Sequence, residues 1–273
     1  MTTNSPSGSG SASAPSSVPK IALIAGAVLA VPLVIVACVI LAIVPGVAWW
    51  IGIPIGLVLA AVIVLFRLRR AADAVLGTLG AVPAGENDYP RLHNLTQGLA
   101  LAGGVPEPEL YVVDDAGRNA AAVAQGSRAA VVCSTGLLDA LDRVSLEGVI
   151  AEVLVRIRSG DAEAATLGSA MYGGLLRGPL AAVGKPAATM GLRQLLADDR
   201  DLSADRAAVA LTRYPPGLLG ALTIIREGSP RTAAANASNE HIWLVPPATV
   251  AAASDAAVEG SPLDLRIDVL GEL

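Results

Sequence analysis

Residues 143–160, with the sequence RVSLEGVIAEVLVRIRSG, form the stretch from which the rest of the chain can be interpreted. We predict a helix over Ser145–Arg158. Ser145 is a residue type favoured at a helix N-cap. Gly160 directly follows the predicted end, where glycine often terminates a helix. The stretch therefore predicts one helix with a readable start and stop.

Glu152 and Arg156 lie four residues apart in this predicted helix, so their side chains share one face. The acidic residue precedes the basic one, which is the more favourable order for a helical ion pair. If the pair is exposed, it stabilises the helix by roughly 0.2–0.5 kcal/mol. A larger contribution would require further partners from elsewhere in the fold.

Short β-type runs precede the helix, and mostly helical, Ala-rich sequence follows it. We predict strands at Leu110–Val113, Asn119–Ala124 and Ala129–Cys133, and helices at Asp73–Ala102 and Leu137–Leu141. Residues 164–183 are too interrupted for a membrane crossing, so we expect a buried helix or one lying against a bilayer. Together these elements predict an α+β domain, 71–273, that is mostly helical with a small antiparallel sheet.

The N-terminal part has a different composition. Residues 1–19 are mostly Ser, Thr, Gly, Pro and Ala, which predicts a disordered tail. No residue between Lys20 and Arg67 is charged, and a helix needs about 20 residues to cross the hydrocarbon core. This run is too long for a cleaved signal peptide, and we prefer a membrane segment to a buried helical hairpin of a soluble protein.

We predict that residues 20–70 form a two-helix transmembrane hairpin, with helices at about 21–44 and 48–66. Pro45-Gly46 marks the turn, which contains neither Lys nor Arg. Basic residues cluster instead at the end of the second helix, in Arg67–Arg70. The positive-inside rule then predicts a bacterial-type inner-membrane (cell membrane) protein with its C-terminal domain in the cytosol.

Composition excludes several classes of site. The chain has 273 residues, 53% of them hydrophobic, with a mean hydropathy of +0.59 and a net charge of −5. This charge does not fit a nucleic-acid-binding surface. The two histidines exclude a site built on three imidazoles, and also a zinc finger.

An ordered series of segments resembles the HtpX-like membrane zinc metallopeptidases, gluzincin-type relatives of the CaaX prenyl proteases. The segments are Val105–Asp114 (VPEPELYVVD), Arg118–Ala120 (RNA), Ser134–Leu138 (STGLL), His241–Pro246 (HIWLVP) and Pro262–Ile267 (PLDLRI). The resemblance implies a zincin-like fold preceded by membrane helices. It also implies a metal helix carrying His-Glu-x-x-His, with an acidic third ligand on a later helix.

The metal helix departs from that pattern. By the resemblance, Glu152 stands at the first histidine, Val153 at the catalytic glutamate and Arg156 at the second histidine. Asp201 stands at the third ligand and Asp205 at the aspartate that closes the later motif. Val153 cannot transfer a proton, and a guanidinium group repels a divalent metal. We therefore expect a degenerate motif with no catalytic residue, no metal ligand and no cofactor, or zinc if the activity persists.

The resemblance also implies that Glu152, Arg156 and Asp201 meet. We predict a structural ion pair in which Arg156 bridges the two carboxylates in place of zinc, in preference to an exposed helical pair. Asn119, His241 and Asp205 are expected near a possible substrate cleft. Without the metal helix, a hydrogen-bonded structural role suits His241 better than a catalytic one.

Three functional hypotheses follow. The first is a membrane-anchored pseudopeptidase, not an enzyme, that binds or scaffolds a protein partner through the groove or the edge strand near Asn119. The second is an active membrane-bound zinc metalloendopeptidase with atypical ligands. The third is a structural subunit of a membrane complex. All three place the chain at a membrane, and none involves nucleic acid.

Overall fold

The computed structural model describes residues 34–43, 49–172, 200–236, 239–246 and 262–273. Several predicted features lie outside these residues. They are the tail 1–19, residues 21–33 of the first membrane helix, the turn at Pro45-Gly46, and residues 173–183 of the ambiguous apolar stretch.

Helices make up most of the described structure, and four strands form one sheet. The helices are α1 (Val34–Ile43), α2 (Gly52–Arg69), α3 (Ala71–Leu79), α4 (Pro90–Gly103), α5 (Thr135–Ala140), α6 (Arg143–Ser159), α7 (Asp161–Tyr172), α8 (Arg200–Thr212), α9 (Pro215–Glu227) and α10 (Pro262–Gly271). Short 3₁₀ turns occur at Trp49–Ile51 and Glu240–Ile242. The strands are β1 (Val82–Pro83), β2 (Glu109–Val113), β3 (Ala120–Gln125) and β4 (Arg128–Ser134).

The sheet has the order β1-β2-β4-β3 and is mixed. β3 and β4 form an antiparallel hairpin, whereas β2 runs parallel to β4. The prediction of an antiparallel sheet was therefore wrong for this pair. The chain passes from β2 to the outer strand β3 and then turns back as β4, which lies between β2 and β3. β4 therefore runs in the same direction as β2.

The helix predicted over Asp73–Ala102 is two helices, α3 and α4. α3 ends at Gly80, which has a left-handed φ of 63°, and Pro90 occupies the first turn of α4. The ten residues between them contain strand β1, which pairs with β2. The helix-terminating effect of this glycine and this proline was stronger than the apolar spacing on which the prediction was based.

Helix α6 begins two residues earlier than predicted. Its N-cap is Asp142, whose Oδ1 accepts a 2.8 Å hydrogen bond from the backbone N–H of Ser145, so Ser145 is not the cap. Gly160 has a φ of 86° and ends the helix as predicted.

The sheet is buried on both faces because its side chains alternate between two apolar clusters. Along β3, Ala120, Ala122 and Ala124 belong to the larger cluster, to which α6 contributes, and Ala121 and Val123 belong to the smaller one. α3 and α7 pack on β3 from the smaller cluster's side. The described part of α7 is thus a buried helix, one of the two alternatives considered for residues 164–183.

Helix α2 is the one described helix that is long and apolar enough to cross a membrane, with 18 residues and a mean hydropathy of 2.0. Its glycines contact α1 closely. A Cβ atom on Gly52 would lie 2.6 Å from the backbone nitrogen of Cys38, and one on Gly56 would lie 2.6 Å from Cα of Val34. Small residues permit such close approach of two apolar helices. The complete hairpin remains a prediction, since its outer parts lie outside the described residues.

Candidate functional site

Glu152 and Arg156 lie one turn apart on the inner face of α6. Arg156 donates to Oε1 of Glu152 through Nε at 3.0 Å and Nη2 at 2.6 Å. Both residues are buried, with 0% of Glu152 and 4% of Arg156 exposed. The apolar neighbours of this helical turn place both side chains in the interior, so the exposed-pair alternative does not describe them.

Helix α8 brings Asp201 to the same place. Nη2 of Arg156 also donates to Oδ1 of Asp201 at 3.0 Å. The neighbouring Arg200 lies 3.5 Å from Asp201 and donates to the backbone oxygen of His241 at 2.9 Å. The structure thus brings together the three residues of the predicted ion pair.

Arg266, on α10, is a fourth member that was not singled out from the sequence. Its Nε and Nη2 atoms bind the two carboxylate oxygens of Asp205, at 2.8 and 2.7 Å. Nη2 also donates to Oε1 of Glu152 at 3.0 Å, and Nη1 donates to the carbonyl oxygen of Leu244 at 2.8 Å. The only sequence signal was the segment PLDLRI, which contains Arg266.

Arg156 and Arg266 both bind Oε1 of Glu152, so this oxygen joins the two arginines. We call Glu152, Arg156, Asp201, Asp205 and Arg266 the ionic cluster. It joins helices α6, α8 and α10 and holds the segment at Leu244. The other oxygen of Glu152, Oε2, is buried without a hydrogen-bond partner among the described residues.

Burial and charge act in opposite directions in the ionic cluster. Burial raises the pKa of Glu152, although the guanidinium groups of Arg266 and Arg156 oppose this effect. Burial also acts to raise the pKa of Asp201, but Arg156, Arg266 and Arg200 outweigh it and lower that pKa. Asp201 is therefore held as a carboxylate, and the arginines remain cationic.

Val153 is not part of the ionic cluster. It packs in the apolar core, with 1% of its surface exposed. An aliphatic side chain can neither donate nor accept a proton. Val153 therefore contributes packing to the core.

Asn119, His241 and Asp205 do not line an open cleft in the described structure, because all three are buried. Asn119 Nδ2 donates to the carbonyl oxygens of Pro230 and Val245, and its Oδ1 accepts from the backbone of Ala120 and Val245. These bonds fix the segment at Val245 against β3. The edge strand near Asn119 is covered there by the chain itself.

His241 is a neutral, structural histidine. Its Nε2 lies 3.0 Å from the carbonyl oxygen of Ala165, to which the neutral ring can donate. Burial, with a contribution from the nearby charge of Arg200, lowers its pKa to about 4. Its backbone oxygen, not its ring, contacts the arginine beside the ionic cluster.

The ionic cluster does not fit zinc. Structural and catalytic zinc sites use neutral imidazoles, thiolates or carboxylates that converge on open space. Here the carboxylates converge on two guanidinium groups, whose positive charge opposes metal binding. In the part of the chain that the structure describes, no group of three His, Cys, Asp or Glu residues could hold a metal ion.

Comparison with known proteins identifies relatives along most of the chain. A protease HtpX homolog of Dictyoglomus turgidum is 31% identical over 244 residues, covering 78% of this chain and 80% of the relative. Another from Dictyoglomus thermophilum is 29% identical and covers 72% and 74%. One from Ligilactobacillus salivarius is 29% identical and covers 80% and 85%. No family model and no solved structure matches.

These relatives correct two expectations. The chain was expected not to be an enzyme, but the relatives are named as protease homologues, which points to an enzyme. No cofactor was expected, whereas a family of zinc metallopeptidases indicates zinc, although the ionic cluster does not fit it. Both expectations were drawn from the residue types at positions 152, 153 and 156 alone.

The resemblance seen in the ordered segments is confirmed by the length and identity of these matches. The membrane setting of that family agrees with the single described helix, α2, that can cross a bilayer. By identity over four-fifths of a relative's length, the chain belongs to the HtpX family of membrane protease homologues.

Proposed function

We propose that the protein acts on polypeptide chains at the cell membrane, with residues 71–273 facing the cytosol. The observation that carries the proposal is the 31% identity, over 78% of the chain, to a relative named as a protease homologue. Proteases and their relatives recognise polypeptides, so a polypeptide is the class of substrate or protein partner that this kinship supports.

The membrane anchor supports the membrane part of the proposal. Side chains of α2 such as Leu57, Val58 and Phe66 are about half exposed or more, as lipid-facing residues would be. Arg67, at the end of this helix, donates to the carbonyl oxygen of Ala170 on α7. The anchor is thereby bonded to the domain that would meet the polypeptide.

Cleavage is the form of action that the names of the relatives favour over simple scaffolding. This corresponds to a membrane-bound endopeptidase with an atypical site, because Val153 supplies no general base and the ionic cluster does not fit zinc. We therefore assign no step of peptide hydrolysis to the cluster residues. Stable binding of a polypeptide is the other form of action that the proposal covers.

The proposal can be tested on the full chain in lipid nanodiscs. The probe is fluorescently labelled, unfolded β-casein, and one sample is scored for fragments on a gel and for complex by anisotropy. We expect fragments or a saturable complex, which empty nanodiscs should not produce. Zinc content is measured by elemental analysis on the same sample, because it tests the cofactor that the family indicates. The proposal would be overturned if neither fragments nor a complex formed at protein concentrations up to about 100 μM.

Orientation has its own test. A reporter that is active only in the cytosol, fused after Leu273, should be active in a bacterial host. Replacing Arg67, Arg69 and Arg70 by Gln should reduce that activity, because basic residues flanking a membrane helix set its direction. A fusion active only outside the cytosol would contradict the cytosolic assignment.

A further inference from the structure

A cavity of about 310 Å³ lies outside the ionic cluster, where α6 begins and the connection from α8 to α9 passes over it. It is lined by Val144, Glu147, Gly148, Thr212, Tyr214 and Gly217. Its volume is at the lower end of the range found for ligand pockets. We call it the α6–α9 pocket.

Glycines form one side of the α6–α9 pocket and leave no room for larger residues. A Cβ atom on Gly148 would lie 2.6 Å from the backbone nitrogen of Leu218, and one on Gly217 would lie 2.9 Å from the oxygen of Val144. Backbone packing therefore sets the position of this side of the pocket. The remaining side chains stand around it as walls and rim.

An aromatic ring and an aliphatic side chain supply the walls. Tyr214 is 53% exposed, and its Cδ1 lies 3.6 Å from where a Gly217 Cβ would stand. Val144 is 44% exposed. Arg213, just before the tyrosine, has a φ of 56°, the only positive φ among the non-glycine residues that the structure describes. Such backbone strain occurs mainly where the surrounding structure requires one conformation.

The backbone at Tyr214 is held by its neighbours. Thr212 Oγ1 accepts from the backbone N–H of Tyr214 at 3.3 Å and donates to the carbonyl oxygen of Ala208 at 3.2 Å. The backbone N–H of Arg213 also donates to Val209 at 2.7 Å. The start of α9 is thus fixed with the tyrosine beside the opening.

Glu147 gives the pocket its charge. It is half-buried, and its side chain makes no ion pair or hydrogen bond among the described residues. Arg213, which directly precedes Tyr214 in sequence, is exposed and has no ion-pair partner among the described residues. A carboxylate at the edge of an apolar, partly aromatic cavity attracts a cation with an aliphatic stem.

We infer that the α6–α9 pocket binds a lysine or arginine side chain of a polypeptide. The methylene stem would lie along Val144 and the ring of Tyr214, and the cationic group would meet Glu147. This inference rests on the proposed function, since it names one side chain by which the polypeptide is recognised. Glu147 lies five residues before Glu152 on α6, about 7.5 Å along the helix axis, so the pocket is a separate site.

The test uses the full chain in nanodiscs and labelled peptides of sequence acetyl-Ala-Ala-X-Ala-Ala-amide, with X as lysine, arginine, norleucine or glutamate. We expect the basic peptides to bind about fivefold or more tightly than the norleucine peptide, which corresponds to about 1 kcal/mol. Glu147→Gln should remove most of this difference. Tyr214→Ala should weaken all peptides with apolar stems. The matched control is Glu107→Gln, at an exposed carboxylate outside the pocket.

Equal affinity for the lysine and norleucine peptides would overturn the inference, as would a basic preference that survives Glu147→Gln. Failure of the pocket is distinguishable from failure of the proposed function. If β-casein is bound or cut while the peptides show no basic preference, only the pocket is wrong. If the peptides bind as expected and β-casein is neither bound nor cut, the pocket stands, and only the proposed action on unfolded protein chains is wrong.

Discussion

Two arginine-centred clusters in this protein use the same chemistry in opposite surroundings. In the ionic cluster, the side chains of Arg156 and Arg266 are 5% and 3% exposed. On the surface, Arg128 is 39% exposed and binds Asp73, Glu109 and the hydroxyl of Tyr111. Both clusters contain arginines with two carboxylate partners. They differ in how much water surrounds the charges.

That difference decides what each cluster contributes. Exposed ion pairs contribute about 0–1 kcal/mol, because water already solvates the separated charges. In a buried cluster each charge has lost its water, so removal of one partner leaves another charge unpaired at a cost of about 3–5 kcal/mol. The buried cluster therefore adds little net free energy of folding. It does penalise any arrangement in which α6, α8 and α10 do not all supply their charged side chains.

The largest effect is expected for Arg266→Ala. This change strips both carboxylate oxygens of Asp205 and one bond from Glu152, and it unties Leu244 from α10. We expect a loss of about 4–5 kcal/mol, or roughly 8–20 °C in melting temperature for a domain of this size. Thermal unfolding of the full chain in detergent measures this. The matched control is Arg206→Ala, an exposed arginine beside Asp205 in sequence. Equal melting temperatures for the two variants would show that the ionic cluster is solvated.

A slightly smaller loss is expected for Arg156→Ala, about 3 kcal/mol. Asp201 keeps 25% of its side chain exposed and retains Arg200, while Glu152 keeps Arg266, so less charge is stranded. Chemical denaturation of the full chain provides the measurement, with Arg158→Ala on the exposed face of α6 as control. A variant as stable as the parent would mean that Arg156 does not bridge α6 and α8.

His241 extends the comparison to a buried group that is neutral in the folded protein. Its pKa is about 4 in the folded protein against an ordinary 6.5, so the unfolded chain takes up the proton first as pH falls. Stability should therefore decrease between pH 6.5 and about 4, by up to about 3 kcal/mol. Denaturation curves across this range should be flatter for His241→Gln, which can still donate to Ala165. Identical slopes for the parent and His241→Gln would refute the assignment.

The sequence predicted the strands of the sheet better than the helices around them. Runs such as Leu110–Val113 are short, apolar and bounded by turn residues, so β2, β3 and β4 were located to within about a residue or two. The two-residue strand β1 contains Pro83 and has no periodicity to detect. A single helix was predicted across Gly80 and Pro90 because the helix-terminating effect of these two residues was not taken into account.

The ionic cluster was only partly predictable for a related reason. Glu152 and Arg156 are related by helical spacing, which sequence expresses directly. Asp201 required a resemblance to a known family, because no local rule connects positions 45 residues apart. Arg266 lies 114 residues from Glu152, and only the packing of α10 against α8 and α9 brings them together. Burial sets how much free energy is lost when one of these contacts is removed, and it depends on the whole fold and not on local sequence.

The smallest effect is expected at the surface cluster. Arg128→Ala removes contacts to Asp73 and Glu109, both of which remain accessible to water, so we expect a loss below about 1 kcal/mol. Because hydrogen bonds from Arg128 lower the pKa of Glu109, what stability this pair adds should be fully present above the ordinary pKa of 4.5 and lost as pH falls through the lower pKa of the folded protein. Salt should also weaken it, since exposed charges are screened at high ionic strength. Melting temperatures of the parent and Arg128→Ala should therefore converge in 1 M NaCl, whereas those of the parent and Arg266→Ala should stay apart. If the Arg128→Ala difference were as large as that of Arg266→Ala and insensitive to salt, exposure would not be what separates the two clusters.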